Sequence, residues 1–486
     1  MLQQAYSFLN NNRFLSLTCG TALLVLFYGL GDVALQSFNE ARRALAAREM
    51  WVSGNWLLPH LNGELYITKP PFFYWLQAFT AQMFGHFNER IARLPSALAA
   101  LSILLINYRL MRRFNRHAAL FAVQILLMNA SFVMLARRAE IEMTLAMLCF
   151  AAILAAIHYI YLAGSRRYIY LSYFLLALGV LTKGPVVLLF VTLPLIILYL
   201  IDKDTRVLDV LTSVLGWLLF IVIGGSWYFV VSTHLGFDVW HQVAQRDLME
   251  KMTQSSSKPL LSYIGWIALD FLPFILMLLI MGRNALTQSA RAIGRQPLIK
   301  ALVVFALVPL VIFSLFSNKH AKYLIPIYPV IALVGAAVLT NAFQQLTVFK
   351  QRLLQILGVF IPLGFMLFYL LFEAQVFAYR FQVLPQIAQW AASLPKQKIA
   401  VYDDADERLY YYLKRPVEVL NKAQLLEYKN MRKNLLVMVE QNQSQEIENI
   451  ADCKVKTFSP YLKKGKSLEV FGFANACDKV MSGLEK

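Results

Sequence analysis

Charge is scarce in this chain. Of its 486 residues 15% are charged and 58% hydrophobic, and the mean hydropathy is +0.54. A soluble globular protein carries roughly a quarter charged residues, so the composition excludes an ordinary soluble enzyme. Acids are the scarcer sign, 28 against 46 Lys and Arg, for a net charge of +18. Cysteine is rare too: four residues, with no CxxC and no metal-ligand spacing, so no metal and no cofactor is expected. Cys19 and Cys149 fall in apolar runs and read as packing residues, whereas Cys453 and Cys477 lie in a polar tail and can pair in an oxidising compartment. Before the first apolar run only Arg13 is basic and no small-residue cleavage site follows, which reads as a retained span.

Apolar runs recur near 15–31, 93–112, 118–136, 141–163, 168–182, 185–201, 209–231, 260–281, 299–317, 323–342 and 353–373. That predicts a polytopic α-helical membrane protein with about eleven spans, up to thirteen if some are split or re-entrant. The even-numbered connectors carry Arg109, Arg112, Arg113 and Arg116; Arg166 and Arg167; Lys203 and Arg206; Arg283, Arg291, Arg295 and Lys300; Lys350 and Arg352. They are nearly free of acids, which is the pattern of cytoplasmic loops. Topology thus accounts for the basic balance, and no nucleic-acid partner is implied. With the N-terminus inside, the chain after about residue 378 lies outside. There Lys398–Tyr402 and Asn434–Val439 read as strands and Glu407–Tyr412 as a helix between them. The expected organisation is a membrane domain, 1–378, whose first external loop is 32–92, and a small external α/β domain, 379–486.

The opposite connectors hold the unusual polar residues. The longest contains Asn39, Glu40, Arg42, Arg43, Arg48 and Glu49, then Tyr66 and Lys69-Pro70-Pro71 before the aromatic run Phe72–Trp75. The others carry Arg137-Arg138-Ala139-Glu140-Ile141-Glu142, Lys183 before Gly184-Pro185, Asp247 and Lys251 at i, i+4, and Lys319-His320-Ala321-Lys322-Tyr323. Each has a plain reading. Ala41–Val52 can be an interfacial helix with solvated charges, Glu142 a carboxylate favoured by a helix N-terminus, and Asp247–Lys251 an ordinary ion pair. Their gathering on one membrane face is what points to a site, since ionisable groups at membrane depth are costly and usually functional.

The order Asn39-Glu40-Ala41-Arg42, Arg48-Glu49-Met50, Gly54-Asn55-Trp56, Pro59, Leu61-Asn62-Gly63, Tyr66, Lys69-Pro70-Pro71 and Tyr74-Trp75 resembles the first periplasmic loop of the lipid A aminoarabinose transferases. These lie in the protein O-mannosyltransferase-like branch of the GT-C glycosyltransferases. Arg90–Ala97, Leu181–Pro185 and Lys322–Pro326 match as well, so the resemblance covers roughly 15–342. It implies a GT-C fold with periplasmic interfacial helices. It also implies a reaction in which a sugar leaves an undecaprenyl-phosphate donor, with inversion, for a lipid A phosphate or another envelope acceptor. Membrane lipids are the surroundings, and a multi-pass protein of the bacterial inner membrane is implied.

Carried over by position, Lys69 and Tyr323 hold the donor phosphate with Lys251 as a third partner; Lys319 is added as a fixed cation for the leaving phosphate, and Glu40, Glu142 and Lys69 are the catalytic candidates. Asn39, Arg42, Tyr66, Arg138, Lys183, Asp247 and Lys322 line the substrate pocket. The chain departs from the family where Asn39 replaces the Asp expected as acid/base, where Thr68 stands for the usual Glu before Lys-Pro-Pro, and where Asp247 stands for a histidine. The metal seen in some relatives uses the last two positions and is not carried over. The sequence leaves open a transferase of neutral hexose to another envelope lipid, glycan or protein, and a flippase of lipid-linked sugars.

Overall fold

Backbone amides in hydrocarbon have no water to bond, so apolar runs of span length fold as helices. They do so in the computed structural model, which describes residues 2–245, 258–395, 397–463 and 465–477. The chain forms two compact units. One comprises 1–30, 67–80 and 93–367; the other comprises 31–66, 81–92 and 368–486.

The first unit is helical. It draws on α1 (Leu2–Phe27), α3 (Phe72–Phe84), α4 (Glu89–Arg112), α5 (Arg116–Leu127), α6 (Ala130–Ala136), α7 (Ile141–Tyr161) and α8 (Arg167–Lys183). The series continues with α9 (Val187–Phe190), α10 (Thr192–Asp202), α11 (Thr205–Leu211), α12 (Val214–Leu235), α13 (Ser262–Asp270), α14 (Leu272–Met281), α15 (Arg283–Gly294), α16 (Pro297–Leu315), α17 (Tyr328–Phe343) and α18 (Val348–Phe368). A 3₁₀ turn, Ala321–Ile327, leads into α17. Among the described residues six helices are long and apolar enough to cross a membrane, eight if each bent pair is one span. α8 has 17 residues, about 26 Å at 1.5 Å per residue, and so falls short of the roughly 30 Å hydrocarbon core.

Two of the runs read as single spans are broken. α5 and α6 meet at 75°, α13 and α14 at 68°. At the first break Asn129 caps α6 by accepting from Phe132 N–H, which satisfies a donor that lipid could not. At the second, Asp270 accepts from Ser131 of α6 at 2.6 Å and from Tyr328 of α17 at 2.5 Å. α7 is the central helix: 72% of its apolar window is buried, against 28% for Val348–Phe372. It packs on α8 and on the 3₁₀ turn that carries Lys322 and Tyr323.

In the second unit α2 (Phe38–Ser53) begins at Ser37 and ends at Gly54, whose φ of 71° the left-handed stop requires. A hairpin of β1 (His60–Leu61) and β2 (Glu64–Leu65) follows, turned by Asn62 and Gly63. The last hundred residues form a five-stranded sheet in the order β4-β3-β5-β7-β6, from β3 (Ile399–Tyr402), β4 (Glu418–Leu420), β5 (Leu435–Glu440), β6 (Cys453–Phe458) and β7 (Leu468–Phe473). β3 runs parallel to β4 and β5; β7 runs antiparallel to β5 and β6. The expected strands and the helix between them are all present, the helix as Glu407–Leu413. Cys453 and Cys477 are disulfide-bonded.

α2 differs from the solvated interfacial helix the sequence suggests. Glu40, Arg43 and Arg48 are all at least nine-tenths buried, because other residues of the same unit take up their polar groups. Arg43 donates to Tyr66 OH at 2.8 Å, and Arg48 donates to the Tyr411 carbonyl.

Close helix packing makes one test of the membrane unit. A Cβ added to Gly335 of α17 would lie 2.7 Å from Phe274 and 3.3 Å from Ile125. Gly335→Val is expected to lower the unfolding temperature of the purified protein, at a cost of about 1–3 kcal/mol. Exposed Gly364→Val, with nothing within 4 Å of its added Cβ, is the control and should change it little.

Candidate active site

The first unit gathers one cluster of ionisable side chains. Glu140 stands at the N-cap position of α7 and Glu142 in its first turn, where the helix dipole favours carboxylates. Lys183 is the last residue of α8, where the dipole favours a cation, and Gly184 (φ 79°) turns the chain away behind it. Lys322 and Tyr323 come from the 3₁₀ turn packed on α7. Lys322 Nζ lies 2.6 Å from Glu140 and 3.5 Å from Glu142, and Lys183 Nζ lies 3.2 Å from Glu142. Lys183 also sits 4.7 Å above the Tyr323 ring. Both glutamates are buried, so the lysines supply the compensation that a buried carboxylate requires.

Beside this cluster is a cavity of about 530 Å³. Lys69, Lys183 and Tyr323 line it together with Val186, Phe190, Phe313 and Phe316. Lysines next to an aromatic and aliphatic wall suit an amphiphile with an anionic head and a hydrocarbon tail better than a polar solute. Lys69, Lys183 and Lys322 against Glu140 and Glu142 leave one positive charge in excess. The positive field reaches further. Partial burial holds His320 below the usual histidine range, and Lys258, Lys322 and Lys183 push it the same way. Lys319 is buried and donates to the Lys258 carbonyl at 3.1 Å, which anchors the segment ahead of the 3₁₀ turn. Arg138 is half-buried at the end of α6, while Arg137 donates to the Val25 and Tyr28 carbonyls.

Of the residues singled out in the sequence, Lys69, Glu142, Lys183, Lys322 and Tyr323 thus meet at one cluster and cavity. Asn39, Glu40, Arg42 and Tyr66 belong to the second unit. There Glu40 serves the start of α2: its N–H donates to Ser37 Oγ, and its carboxylate accepts from Gln36 N–H, each at 2.9 Å. Arg42 pairs with Glu407 at 2.7 Å and lies 4.1 Å over Phe38. Burial pushes the Glu407 carboxyl up, and the Arg42 guanidinium beside it pulls it back. Asp247 and Lys251 lie outside the described residues. Among the described residues no group of three His, Cys, Asp or Glu side chains is placed to hold a metal ion.

Three participants escape sequence reasoning. Glu140, Lys322's nearer partner, is two residues from Glu142 and indistinguishable from it by pattern. The cavity wall Phe190, Phe313 and Phe316 looks like any span. Glu407 lies 365 positions from Arg42. The helix-start signal at 140–142 could have found the first.

Residues 68–229 match the family described as dolichyl-phosphate-mannose-protein mannosyltransferase. The chain is 27% identical over 425 residues to an uncharacterized protein of Aquifex aeolicus (strain VF5), covering 85% of this chain and 91% of the relative. It is 26% identical over 338 residues to the undecaprenyl phosphate-alpha-4-amino-4-deoxy-L-arabinose arabinosyl transferase of Shewanella sediminis (strain HAW-EB3), covering 66% of this chain and 59% of that one. The match therefore spans about three fifths of that curated relative's length. The crystal structure of ArnT from Cupriavidus metallidurans bound to undecaprenyl phosphate superposes with a TM-score of 0.78 at 19% identity, covering 94% of this chain and 97% of that one. The resemblance seen in the first loop thus extends to the fold, which is that of the GT-C membrane glycosyltransferases.

The Arg42–Glu407 pair is largely buried, with side chains 20% and 14% exposed. A double-mutant cycle of Arg42→Ala and Glu407→Ala, read by thermal unfolding, should give a coupling of about 1–3 kcal/mol. A coupling near zero would show that the pair does not fasten α2.

Proposed function

We propose that the chain transfers a sugar, an amino sugar such as aminoarabinose, from an undecaprenyl-phosphate donor to a lipid A phosphate at the periplasmic face of the bacterial inner membrane. The observation that carries this reading is the cavity that places Lys69, Lys183 and Tyr323 among Val186, Phe190, Phe313 and Phe316. A polyprenyl phosphate has the matching two parts. The similarity to curated aminoarabinose transferases and the fold shared with ArnT support the same substrate class. The acid-poor basic connectors support placing the opposite ends of the spans, and the site, outside.

The chemistry asked of the site is electrostatic. In the donor the phosphate is a diester with one negative charge; as the sugar leaves it becomes a monoester and gains a second. A fixed positive excess from Lys69, Lys183 and Lys322 opposes that developing charge without reorganisation. Glu140 and Glu142 keep the lysines in place before the donor arrives. Tyr323 offers a hydroxyl donor at the cavity wall. An alcohol acceptor would need a general base. A phosphate acceptor arrives ionised, since its second pKa is about 6. Asn39 in place of the family's Asp therefore suits a phosphate acceptor. The carboxylates nearest in sequence or position are otherwise engaged, Glu40 with Gln36 N–H and Glu142 with two ammonium groups.

A second reading, transfer of a neutral hexose to another envelope acceptor, shares the donor half of the site and differs only in what is attacked. Mass spectrometry of lipid A from cells with and without the protein separates the two. A gain equal to a phosphate-linked pentosamine is expected, and an unchanged lipid A would favour the hexose reading. Donor-dependent product formation by the purified protein excludes a flippase.

Lys69→Ala should lower transfer by roughly a hundredfold or more while leaving a folded membrane protein, and Lys69→Arg should keep part of the rate. Turnover near wild type in Lys69→Ala would remove it from the site. The no-base mechanism is tested by the pH profile of transfer in Glu40→Gln and Glu142→Gln. Neither variant should lose the acid limb; loss of that limb together with most of the rate in either one would establish a carboxylate base.

A further inference from the structure

A second cavity lies at the other end of α7. Residue 142 begins that helix and residue 158 is near its end, a separation of roughly 24 Å along the axis. The cavity, about 250 Å³, lies between α4, α7 and α8. Its apolar lining includes Leu110, Leu154 and Leu171, and Leu171 stands 44% exposed. Arg109, Arg113 and His158 line it as well. Arg113 donates to His158 Nε2 at 3.0 Å, and the His158 ring stacks on Tyr168 at 4.0 Å. Arg167 lies 5.3 Å from the Tyr168 ring.

The polar side of this cavity holds positive charge without a carboxylate. The two connectors that meet there, 113–116 and 162–167, contain no Asp or Glu. Among the described residues no ion pair engages Arg109, Arg113 or Arg167, although Asp209 is near enough in the unit to accept from Tyr159. The aromatic stack holds the imidazole, and the imidazole holds the Arg113 fork beside the groove. Gly164 completes the turn: a Cβ there would fall 2.6 Å from His158 Nδ1, so only glycine lets the connector close over the ring. A preorganised guanidinium at the mouth of an aliphatic groove, with a second arginine alongside, complements an anionic head with an acyl chain below it. Basic pockets between spans are a recurrent form of lipid-headgroup recognition.

We infer that this cavity is a binding site for an anionic diacyl phospholipid of the bilayer, held through its phosphate by Arg109 and Arg113 and through an acyl chain by Leu110, Leu154 and Leu171. The site is independent of the transfer reaction and lies outside its machinery.

The test uses the purified full-length protein with three probes: dioleoylphosphatidylglycerol, dioleoylphosphatidylcholine and inorganic phosphate. Phosphatidylglycerol should remain bound in native mass spectrometry and raise the unfolding temperature, and the other two should do neither. Arg109→Gln with Arg113→Gln should weaken phosphatidylglycerol binding roughly thirty-fold, because each arginine near a lipid surface contributes about a factor of five. Arg291→Gln with Arg295→Gln, in a different basic connector, should leave it unchanged. Leu171→Trp keeps the charges and fills the groove, so it should also release the lipid, even if the double variant fails to fold. Equal retention of phosphatidylcholine, equal protection by inorganic phosphate, undiminished binding in Leu171→Trp, or displacement by an equal amount of undecaprenyl phosphate would each overturn the assignment.

Discussion

Two carboxylates buried at the start of a central membrane helix set the terms for much of the first unit. Desolvating an ionised carboxylate costs several kcal/mol unless a partner compensates it. Glu140 and Glu142 therefore require cations that converge from elsewhere in the chain. Lys183 arrives at the end of α8, and Lys322 on a 3₁₀ turn about 180 positions later. The turn must lie against α7 for that reach, and Gly184 must divert the chain so that Lys183 stays at the helix end. Removing one partner of such a set is far more damaging than replacing all of it, because the remainder is left charged and dry. The same arrangement leaves the lysines one charge ahead of the acids beside an apolar cavity, which is the condition for receiving an anionic lipid head.

The second unit solves a related problem by other means. α2 buries an acid and two arginines, and neutral groups take part in holding each of them. Arg43 meets a phenol, Arg48 a backbone carbonyl, and the Glu40 carboxylate the Gln36 amide just ahead of the helix. Arg42 pairs with a carboxylate, Glu407. Asn62 adds a reciprocal pair with Val417, donating to its carbonyl and accepting from its amide at 2.8 Å each.

Much of this was legible in the chain itself. Runs of apolar residues located the helices to within a few positions, and short apolar, β-branched runs located β3 and β5. What periodicity could not show is where a helix breaks. The bends after α5 and α13 depend on an Asn cap and on Asp270, Ser131 and Tyr328 meeting in three dimensions. Hydropathy counts carbon and is blind to that. At the site, Lys69, Lys183 and Lys322 stood out because cations on that face break the charge rule, and Tyr323 through the family resemblance. Glu140 did not, since a cap and a first-turn acid look alike in sequence. Arg42 and Arg48 of α2 read as solvated because their partners lie more than 350 positions away.

That separation has a consequence for how the protein is made. Residues 31–66 leave the ribosome more than 350 residues ahead of Glu407, Tyr411, Tyr412 and Val417, which engage them. At about 5–20 residues per second the interval is roughly twenty to seventy seconds. Throughout it the newborn loop holds arginines whose final acceptors do not yet exist. The segment thus completes its contacts only after residues made more than 350 positions later have emerged. Premature termination after the last span helix but before residue 407 leaves the spans in place and the acceptors of Arg42, Arg48 and Asn62 unmade.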